Sequence, residues 1–389
     1  METTMGGIGM IKVIADNITS PLGMTSSENY LKVKDGLSCL QSYEGVMDIP
    51  TPFTASLFTE EQWDALMQYG DYTRFESCLI HSIREALEGS DVDVSSPRVI
   101  FIISTTKGNV ELLDSRSHRL KNRTTDEAVR LGNAALMIAR YFGNPNIPVT
   151  VSNACISGLA AQLTAKRMLE SGRYDYAIVA GADIQSRFII SGFQSFKALS
   201  PKVCRPFDIE RCGLNLGEAA ACMVFGRMTE QDTDDWVAVR GAVRNDANHI
   251  SSPSRTAEGA YRAIAYAMAD GDAEQLAVVN AHGTSTLYND EMESVAIARS
   301  GLEHTPVNSL KGYYGHTMGA AGLLETILTM KSIDDHIILG TRGFQELGVS
   351  RSIRVIGEHI PTDKRGFLKL LSGFGGSNAA MLYQKGGRR

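Results

Sequence analysis

The sequence predicts a layered α/β fold with parallel strands, built as two successive sets of strands and helices. Short apolar segments of strand length alternate with segments whose apolar residues have helical spacing, and the alternation restarts after an acidic stretch at residues 229–235. A chain of 389 residues is long enough for two domains, or for two similar halves that share one core. We expect a first half over residues 1–228 and a second half over residues 229–389. No internal sequence repeat is obvious, so any duplication would be structural.

In the first half, a strand at residues 11–15 is followed by a turn and loop at 16–23. Helical spacing then covers residues 60–67 and 72–88, and the second of these helices ends near Gly89. The later elements are strands at 99–104, 148–151, 176–180 and 223–225 and helices at 126–141 and 156–170. In the second half, the pattern predicts strands at 236–241, 276–279 and 367–371 and helices at 290–300 and 319–333.

Composition narrows the class of protein. Hydrophobic residues make up 43% and charged residues 21%, as in an ordinary globular protein. A net charge of −6 argues against nucleic-acid binding as the main role. The longest apolar runs, residues 99–103 and 177–180, are far too short to span a membrane. The first ten residues lack a secretory signal pattern, so a cytoplasmic location is expected.

The six cysteines show no metal-type pairing, which predicts free thiols, no disulfide and no zinc site. Cys155 is the candidate nucleophile among them. It stands where an apolar strand turns through small residues into the predicted helix at 156–170. A thiol at a helix start meets unpaired N–H groups and the positive end of the helix dipole, which favour thiolate. The alternative is a buried structural cysteine.

Three later segments place reactive residue types on glycine-flanked loops. His282 follows a buried strand, and Lys311 and His316 precede a helix rich in small residues. Phe374 is the one aromatic in the glycine-rich turn at residues 372–378. Each segment alone is weak evidence, because a single histidine or a glycine-rich turn is usually structural.

In order along the chain, these segments accompany Ser20-Pro-Leu-Gly23, Arg205-Pro-Phe-Asp208 and Gly217-Glu218. The ordered set resembles the β-ketoacyl synthase family, in particular the branch with one cysteine and two histidines. The resemblance implies a thiolase-like fold, in which two similar α/β halves stack as five αβαβα layers and usually pair as a dimer. It also implies a decarboxylating Claisen condensation between an acyl thioester and a malonyl group carried on acyl carrier protein.

The resemblance also implies residue roles. Cys155 would take the acyl chain, while His282 and His316 would bind the malonyl thioester carbonyl and help to expel carbon dioxide. The backbone N–H groups of Cys155 and Phe374 would form the oxyanion hole, and Phe374 would gate the acyl pocket. Lys311 would support the histidines.

Glu325 matches the carboxylate partner of that lysine, and Thr284 and Thr286 match positions that hold the pantetheine arm. We interpret Asp290 and Glu293 as structural acids at a helix start.

Partner surfaces are a further expectation from the resemblance. Arg205 matches a position that can contact acyl carrier protein, an acidic partner. A basic cluster at residues 116–123, which includes Arg116 and Arg119, is a second docking candidate or else a solvated loop. No tightly bound cofactor is expected, because substrates arrive on the phosphopantetheine of acyl carrier protein. We expect a homodimer, or a heterodimer with a chain-length factor.

The chain departs from the family pattern at a few positions. Ser372 stands where an aromatic residue by the malonyl site is usual, and the span from Lys107 to Cys155 is shorter than usual. Chain length, and the choice between fatty-acid elongation and a specialised pathway to polyenes, aryl lipids or polyketides, therefore stay open. The alternatives are a non-condensing chain-length-factor-like partner, a thiolase, hydrolase or acyltransferase of the same fold, and a metal-binding protein.

Overall fold

The computed structural model describes residues 10–114, 120–229, 232, 234–246, 248–249, 252–269 and 271–386. Within this part of the chain, ten strands form one mixed sheet. The first half supplies β1 (Ile11–Thr19), β2 (Val99–Ser104), β3 (Val149–Val151), β4 (Tyr176–Asp183) and β5 (Ala219–Arg227). The second half supplies β6 (Trp236–Asn245), β7 (Leu276–Asn280), β8 (Val307–Asn308), β9 (Gly366–Gly373) and β10 (Ser377–Lys385).

The two halves have the same strand order. It is β1-β5-β4-β2-β3 in the first half and β6-β10-β9-β7-β8 in the second, and the corresponding pairs run in the same relative directions. Within the described sheet, the two sets of strands are linked where Lys12 on β1 lies opposite Val237 on β6. The duplication is therefore structural, as expected. The predicted boundary at residue 228 stays a prediction; β5 ends at Arg227 and β6 begins at Trp236.

The predicted parallel strands account for only part of the sheet. β2 runs parallel to β3 and β4, but β5 is antiparallel to both of its neighbours, β1 and β4, and β10 is likewise antiparallel to β6 and β9. The short turn between β9 and β10 forces that pair to be antiparallel. The pattern could not reveal this, because a strand buried on both faces has the same apolar sequence in either direction.

Helices cover both outer faces and fill the middle. They are α1 (Ser26–Lys34), α2 (Glu60–Leu66), α3 (Arg74–Leu87), α4 (Thr125–Ala128), α5 (Leu131–Tyr141), α6 (Ser157–Glu170), α7 (Arg187–Ser195), α8 (Glu258–Ala267), α9 (Leu287–Arg299), α10 (Lys311–Tyr314) and α11 (Ala321–Asp334). α6 and α11 contact each other and strands of both halves, whereas α3 and α5 cover the first half and α8 and α9 the second. The outer helices, the two halves of the sheet and the central helices therefore stack as five αβαβα layers.

Small elements complete the fold. Two small sheets contain Gln41–Tyr43, Phe53–Ser56 and Leu216–Gly217, and Ile337–Ile338 with Ile360–Pro361. The 3₁₀ helices are Val46–Asp48, Met67–Tyr69, Val110–Leu113, Ala273–Gln275 and Met318–Ala320. Among the described residues, no helix is long and apolar enough to cross a membrane.

Two predicted boundaries are wrong for identifiable reasons. β1 continues to Thr19 because the Asn17 amide donates to Thr19 Oγ1 and to the Met24 carbonyl, so a polar residue is satisfied inside the strand. The predicted helix at 126–141 is two helices, α4 and α5. The side-chain amide of Asn109 donates a hydrogen bond to the Ala128 carbonyl at 2.8 Å. In a continuous helix, that carbonyl would accept a backbone N–H instead.

The central helices cross at glycines. A Cβ on Gly158 of α6 would lie 2.9 Å from the Gly319 carbonyl oxygen, and one on Gly322 of α11 would lie 2.5 Å from the Leu159 nitrogen. The contacted atoms are backbone, so no side chain can rotate away. This close approach brings the start of α6, just after Cys155, against the start of α11, just after His316.

Gly322→Ala is expected to lower the free energy of unfolding by about 1–3 kcal/mol, since the added methyl must push the two helices apart. Urea unfolding measures the effect. Gly132→Ala is the matched control, because Gly132 lies on a helix with no atom within 4 Å of an added Cβ. It should be neutral or stabilising by up to about 1 kcal/mol. Equal effects of the two substitutions would contradict the crossing argument.

Candidate active site

Cys155 lies in a tight turn between β3 and α6. Ala154 has a φ of 45°, an unusual backbone conformation for a non-glycine residue. The Ser157 hydroxyl holds the turn by donating to the Ala154 carbonyl at 2.7 Å and accepting from the Asn153 N–H at 2.8 Å. The turn therefore presents the thiol ahead of the first turn of α6.

The expected preference of Cys155 for thiolate is wrong on balance. The side chain is buried, with 8% of the residue exposed, and burial raises the pKa of the thiol. The positive charges of Lys107 and Lys311 and the backbone N–H of Phe374 lower that pKa, but they do not overcome burial. The prediction considered the effect of the helix start on the thiol pKa. It could not include the effect of burial, which the sequence does not show.

His282 follows β7 on a loop held by two acids. The Glu293 carboxylate accepts the backbone N–H groups of His282 and Gly283, both at 2.7 Å. Asp290 accepts those of Phe207, Thr284 and Ser285 at 2.7 to 3.1 Å. Burial raises the pKa of Glu293 to about 7 and that of Asp290 to about 6. These acids shape the loop by accepting backbone N–H groups.

His316 faces His282 across the site. The ring centroids are 5.0 Å apart and the planes meet at 82°. Nδ1 of His316 accepts the Met318 N–H at 3.3 Å, which assigns the ring proton to Nε2. In the described part of the chain, His316 Nε2 and His282 Nδ1 are buried without a hydrogen-bond partner. Unpartnered polar atoms beside a cavity are suited to bind a substrate.

Both imidazoles are held neutral. Burial lowers the pKa of His282 and of His316 well below the usual range, and the positive charge of Lys311 lowers both further. A neutral imidazole has one N–H to donate. Cys155 Sγ and one nitrogen of each histidine lie within 4.8 Å of one another, so one small group can contact all three.

A cavity of about 280 Å³ opens onto these three residues. Thr284 and Thr286 line it, with their hydroxyl oxygens 2.9 Å apart, and so does Ser372. The Ser372 hydroxyl donates to Asn378 Oδ1 at 2.8 Å. The threonines predicted to hold pantetheine therefore face the cavity that contains Cys155.

Phe374 caps the site from the β9–β10 turn. A Cβ on Gly373 would lie 3.1 Å from the Cys155 nitrogen, which shows how closely the turn approaches the nucleophile. The Phe374 ring is 37% exposed and packs on Phe193 and Phe196, with centroids 5.8 and 5.6 Å away. Gly375 and Gly376 have φ values of 86° and 78°, so the turn needs residues without a side chain.

Lys311 and Glu325 are paired, and a second lysine completes the group. The buried carboxylate of Glu325 binds both Lys311 and Lys369, and Lys369 also donates to Asn280 Oδ1 at 2.6 Å. Burial would raise the pKa of Glu325, but the two ammonium groups lower it overall. Burial lowers the pKa of Lys369 to about 8. Sequence reasoning missed Lys369, although a lysine inside an apolar strand was a signal.

Asp183, at the end of β4, was also missed. Its carboxylate accepts the hydroxyls of Thr105 and Thr106, both at 2.8 Å, and the Gly319 N–H at 2.7 Å. It therefore ties the end of β2 to the loop after His316. The signal was an acid at the end of an apolar segment of strand length.

Of the three arginines predicted to dock acyl carrier protein, the structure describes only Arg205. Arg116 and Arg119 lie outside the described residues. Arg205 donates to the Gly343 carbonyl and to Gln345 Oε1, both at 2.9 Å, and pairs with Glu210. These contacts hold its guanidinium against the chain. The docking role of all three arginines stays a prediction.

The absence of a metal and of a tightly bound cofactor also stays a prediction. The six cysteines are all free thiols.

Comparison with known proteins gives one consistent result. The family model of the β-ketoacyl synthase N-terminal domain matches residues 11–231, and that of the C-terminal domain matches residues 237–345. A putative mitochondrial 3-oxoacyl-[acyl-carrier-protein] synthase of Schizosaccharomyces pombe is 25% identical over 94% of this chain and 96% of its own. The 3-oxoacyl-[acyl-carrier-protein] synthase 2 of Vibrio cholerae is 27% identical over 97% and 98%.

Among solved structures, a chain of the ketosynthase in complex with its chain length factor from Xenorhabdus doucetiae aligns with a TM-score of 0.86. The identity is 24%, and the alignment covers 99% of this chain and 100% of that chain. This likeness confirms the predicted thiolase-like fold.

The shared carboxylate predicts unequal effects of two substitutions. Glu325→Gln leaves two ammonium groups buried side by side and should cost about 3–5 kcal/mol in the free energy of unfolding. Lys369→Met keeps the neutral Lys311–Glu325 pair and should cost less. Urea unfolding of both variants tests the ranking, with Lys331→Met on the same helix as a control, since Lys331 is partly exposed. A larger loss for Lys369→Met than for Glu325→Gln would contradict it.

Proposed function

Since the chain belongs to the β-ketoacyl synthase family, we propose that it joins an acyl group held on Cys155 to a malonyl thioester with loss of carbon dioxide. The observation that supports this most directly is the cluster of one buried thiol and two neutral imidazoles within 4.8 Å. The reaction needs one group that holds an electrophile and others that stabilise an enolate. The cluster contains both kinds of group.

In the first step, the Cys155 thiolate attacks the carbonyl carbon of an acyl thioester. The bond from that carbon to the carrier sulfur breaks, and the carrier leaves as a thiol after taking a proton from solvent, to which Cys155 has lost its own. The backbone N–H groups of Cys155 and Phe374 would hold the oxyanion. The close approach of Gly373 to the Cys155 nitrogen supports this arrangement.

In the second step, His282 and His316 donate hydrogen bonds to the thioester oxygen of the malonyl group. The bond to the carboxylate breaks, carbon dioxide leaves, and the electron pair moves towards that oxygen as an enolate. The unpartnered Nε2 of His316 is suited to this role. The enolate carbon then attacks the acyl carbonyl, and Cys155 leaves as thiolate.

The carrier and the assembly are part of the same proposal. Acyl carrier protein would deliver both substrates on its phosphopantetheine, which Thr284 and Thr286 would bind in the cavity. The fission-yeast and Vibrio relatives are named as acyl-carrier-protein synthases, and the Xenorhabdus ketosynthase is in complex with its chain length factor. A homodimer or a heterodimer with such a factor fits the proposal, as does a cytoplasmic location.

Acylation measured by intact mass tests the function. The protein is incubated with acyl-carrier thioesters of different length, with Cys155→Ala as the control, and malonyl carrier is then added. A mass gain on wild type alone, followed by release of a β-ketoacyl product, is expected. No acyl gain from any donor would overturn the synthase proposal. Acylation without condensation would indicate an acyltransferase instead.

The histidine roles predict a separation of the two half-reactions. His282→Ala or His316→Ala should slow malonyl decarboxylation by roughly 10²–10³-fold, the typical cost of losing a donor to a developing oxyanion. Acyl transfer to Cys155 should fall much less. Carbon dioxide release and intact mass measure the two steps separately. A similar loss in both half-reactions would contradict the assignment.

A further inference from the structure

Lys107 supplies a positive charge that the proposed chemistry leaves without a role. It follows β2, and its ammonium donates to Thr106 Oγ1 at 2.7 Å and contacts Met318 Sδ at 3.4 Å. It also lies 5.9 Å from the centre of the Phe193 ring. All of these partners are neutral, so they hold the ammonium in place without cancelling its charge.

In the part of the chain that the structure describes, no carboxylate lies within ion-pairing distance of Lys107. The nearby Asp183 is occupied by hydrogen bonds from Thr105, Thr106 and Gly319. The Thr106 hydroxyl donates to Asp183 and accepts from Lys107, so it separates the two charges. An ammonium has three N–H groups, and two contacts leave one for another partner.

The ammonium contacts residues that adjoin the site of the nucleophile. Its partner Met318 donates its backbone N–H to His316, and its neighbour Phe193 stacks on Phe374, which caps Cys155. After burial, the charge of Lys107 is the largest influence on the pKa of Cys155, which it lowers. It also lowers the pKa of His316. The contacts with Met318 and Phe193 place the charge one residue away from His316 and from Phe374.

Two other charged groups also shift the pKa of Cys155. They are Asp183 from β4 and Lys311 from α10, and the two histidines are neutral. Lys311 is bound by the Glu325 carboxylate, so its charge is largely compensated. Of the two lysines that lower the pKa of the thiol, Lys107 is therefore the one without a carboxylate partner among the described residues.

We propose that Lys107 is the counter-cation of the Cys155 thiolate, a supporting residue that acts through the nucleophile. Cys155 gives its proton to solvent, and the nearby ammonium offsets the cost of a buried negative sulfur. The same charge stabilises the thiolate when it leaves at the end of the condensation. The role in acyl transfer rests on the proposed function, but the titration of the thiol does not.

Alkylation of Cys155 by iodoacetamide tests the proposal without any carrier or acyl donor. The rate is followed from about pH 7 to 11, because the thiol pKa is already raised in the wild type. Peptide mass mapping separates Cys155 from the exposed Cys212. Lys107→Met should shift the midpoint of the rate profile upwards by about one pH unit, which lowers the rate near neutral pH about tenfold. Lys107→Arg should keep the wild-type midpoint.

Lys197→Met is the matched control. Lys197 lines the same cavity and is exposed, yet it is not among the groups that shift Cys155. Its loss should leave the midpoint unchanged. Lys107→Gln is a second variant in case Lys107→Met does not fold, which circular dichroism would show.

An unchanged midpoint in a folded Lys107 variant would overturn the proposal. A parallel series with iodoacetate, an anionic reagent, tests whether the charge of Lys107 instead binds an anionic substrate group. If loss of Lys107 slows only the anionic reagent and leaves the midpoint in place, the lysine receives an anionic substrate group and the proposal is wrong. A shifted midpoint in a protein that accepts no acyl group would retain this inference while the proposed function fails.

Discussion

The carboxylate of Glu325 and its two buried lysines organise the half of the site that comes from the second set of strands. The acid on α11 joins Lys311, in the loop that leads to His316, to Lys369 on β9. Lys369 in turn binds Asn280, two residues before His282. One buried group of charges therefore fixes the two loops that carry the histidines. Burying these charges is costly, but the cost is offset because both lysines pair with the one carboxylate of Glu325.

The first half reaches this group through close backbone contact. α6 and α11 meet at Gly158 and Gly322, where side chains would not fit. The Ser104 hydroxyl at the end of β2 also donates to the Gly319 carbonyl at 2.9 Å. The distance between the thiol and the imidazoles is therefore set by glycine contacts and buried hydrogen bonds.

Much of the site was predictable because its residues stand in ordered motifs. Cys155, His282 and His316 line one cavity, and Lys311 pairs with Glu325 as expected. Lys369 and Asp183 were missed, because each matters through residues far away in sequence. The direction of the Cys155 pKa was also missed, since it depends on burial that no local pattern reports. The fold shows the same limit: strands were located from apolar runs, but their directions depend on the connections between them.

The equal strand order of the two halves determines how their loops assemble the site. Cys155 follows β3, and Lys311 and His316 follow its counterpart β8, while the loop with Lys107 follows β2 and His282 follows its counterpart β7. Matching loops of two related units thus converge on one cavity but carry different chemistry. Because the reactive residues differ between matching loops, the repeat is visible in the strand order and not in the residues of the site.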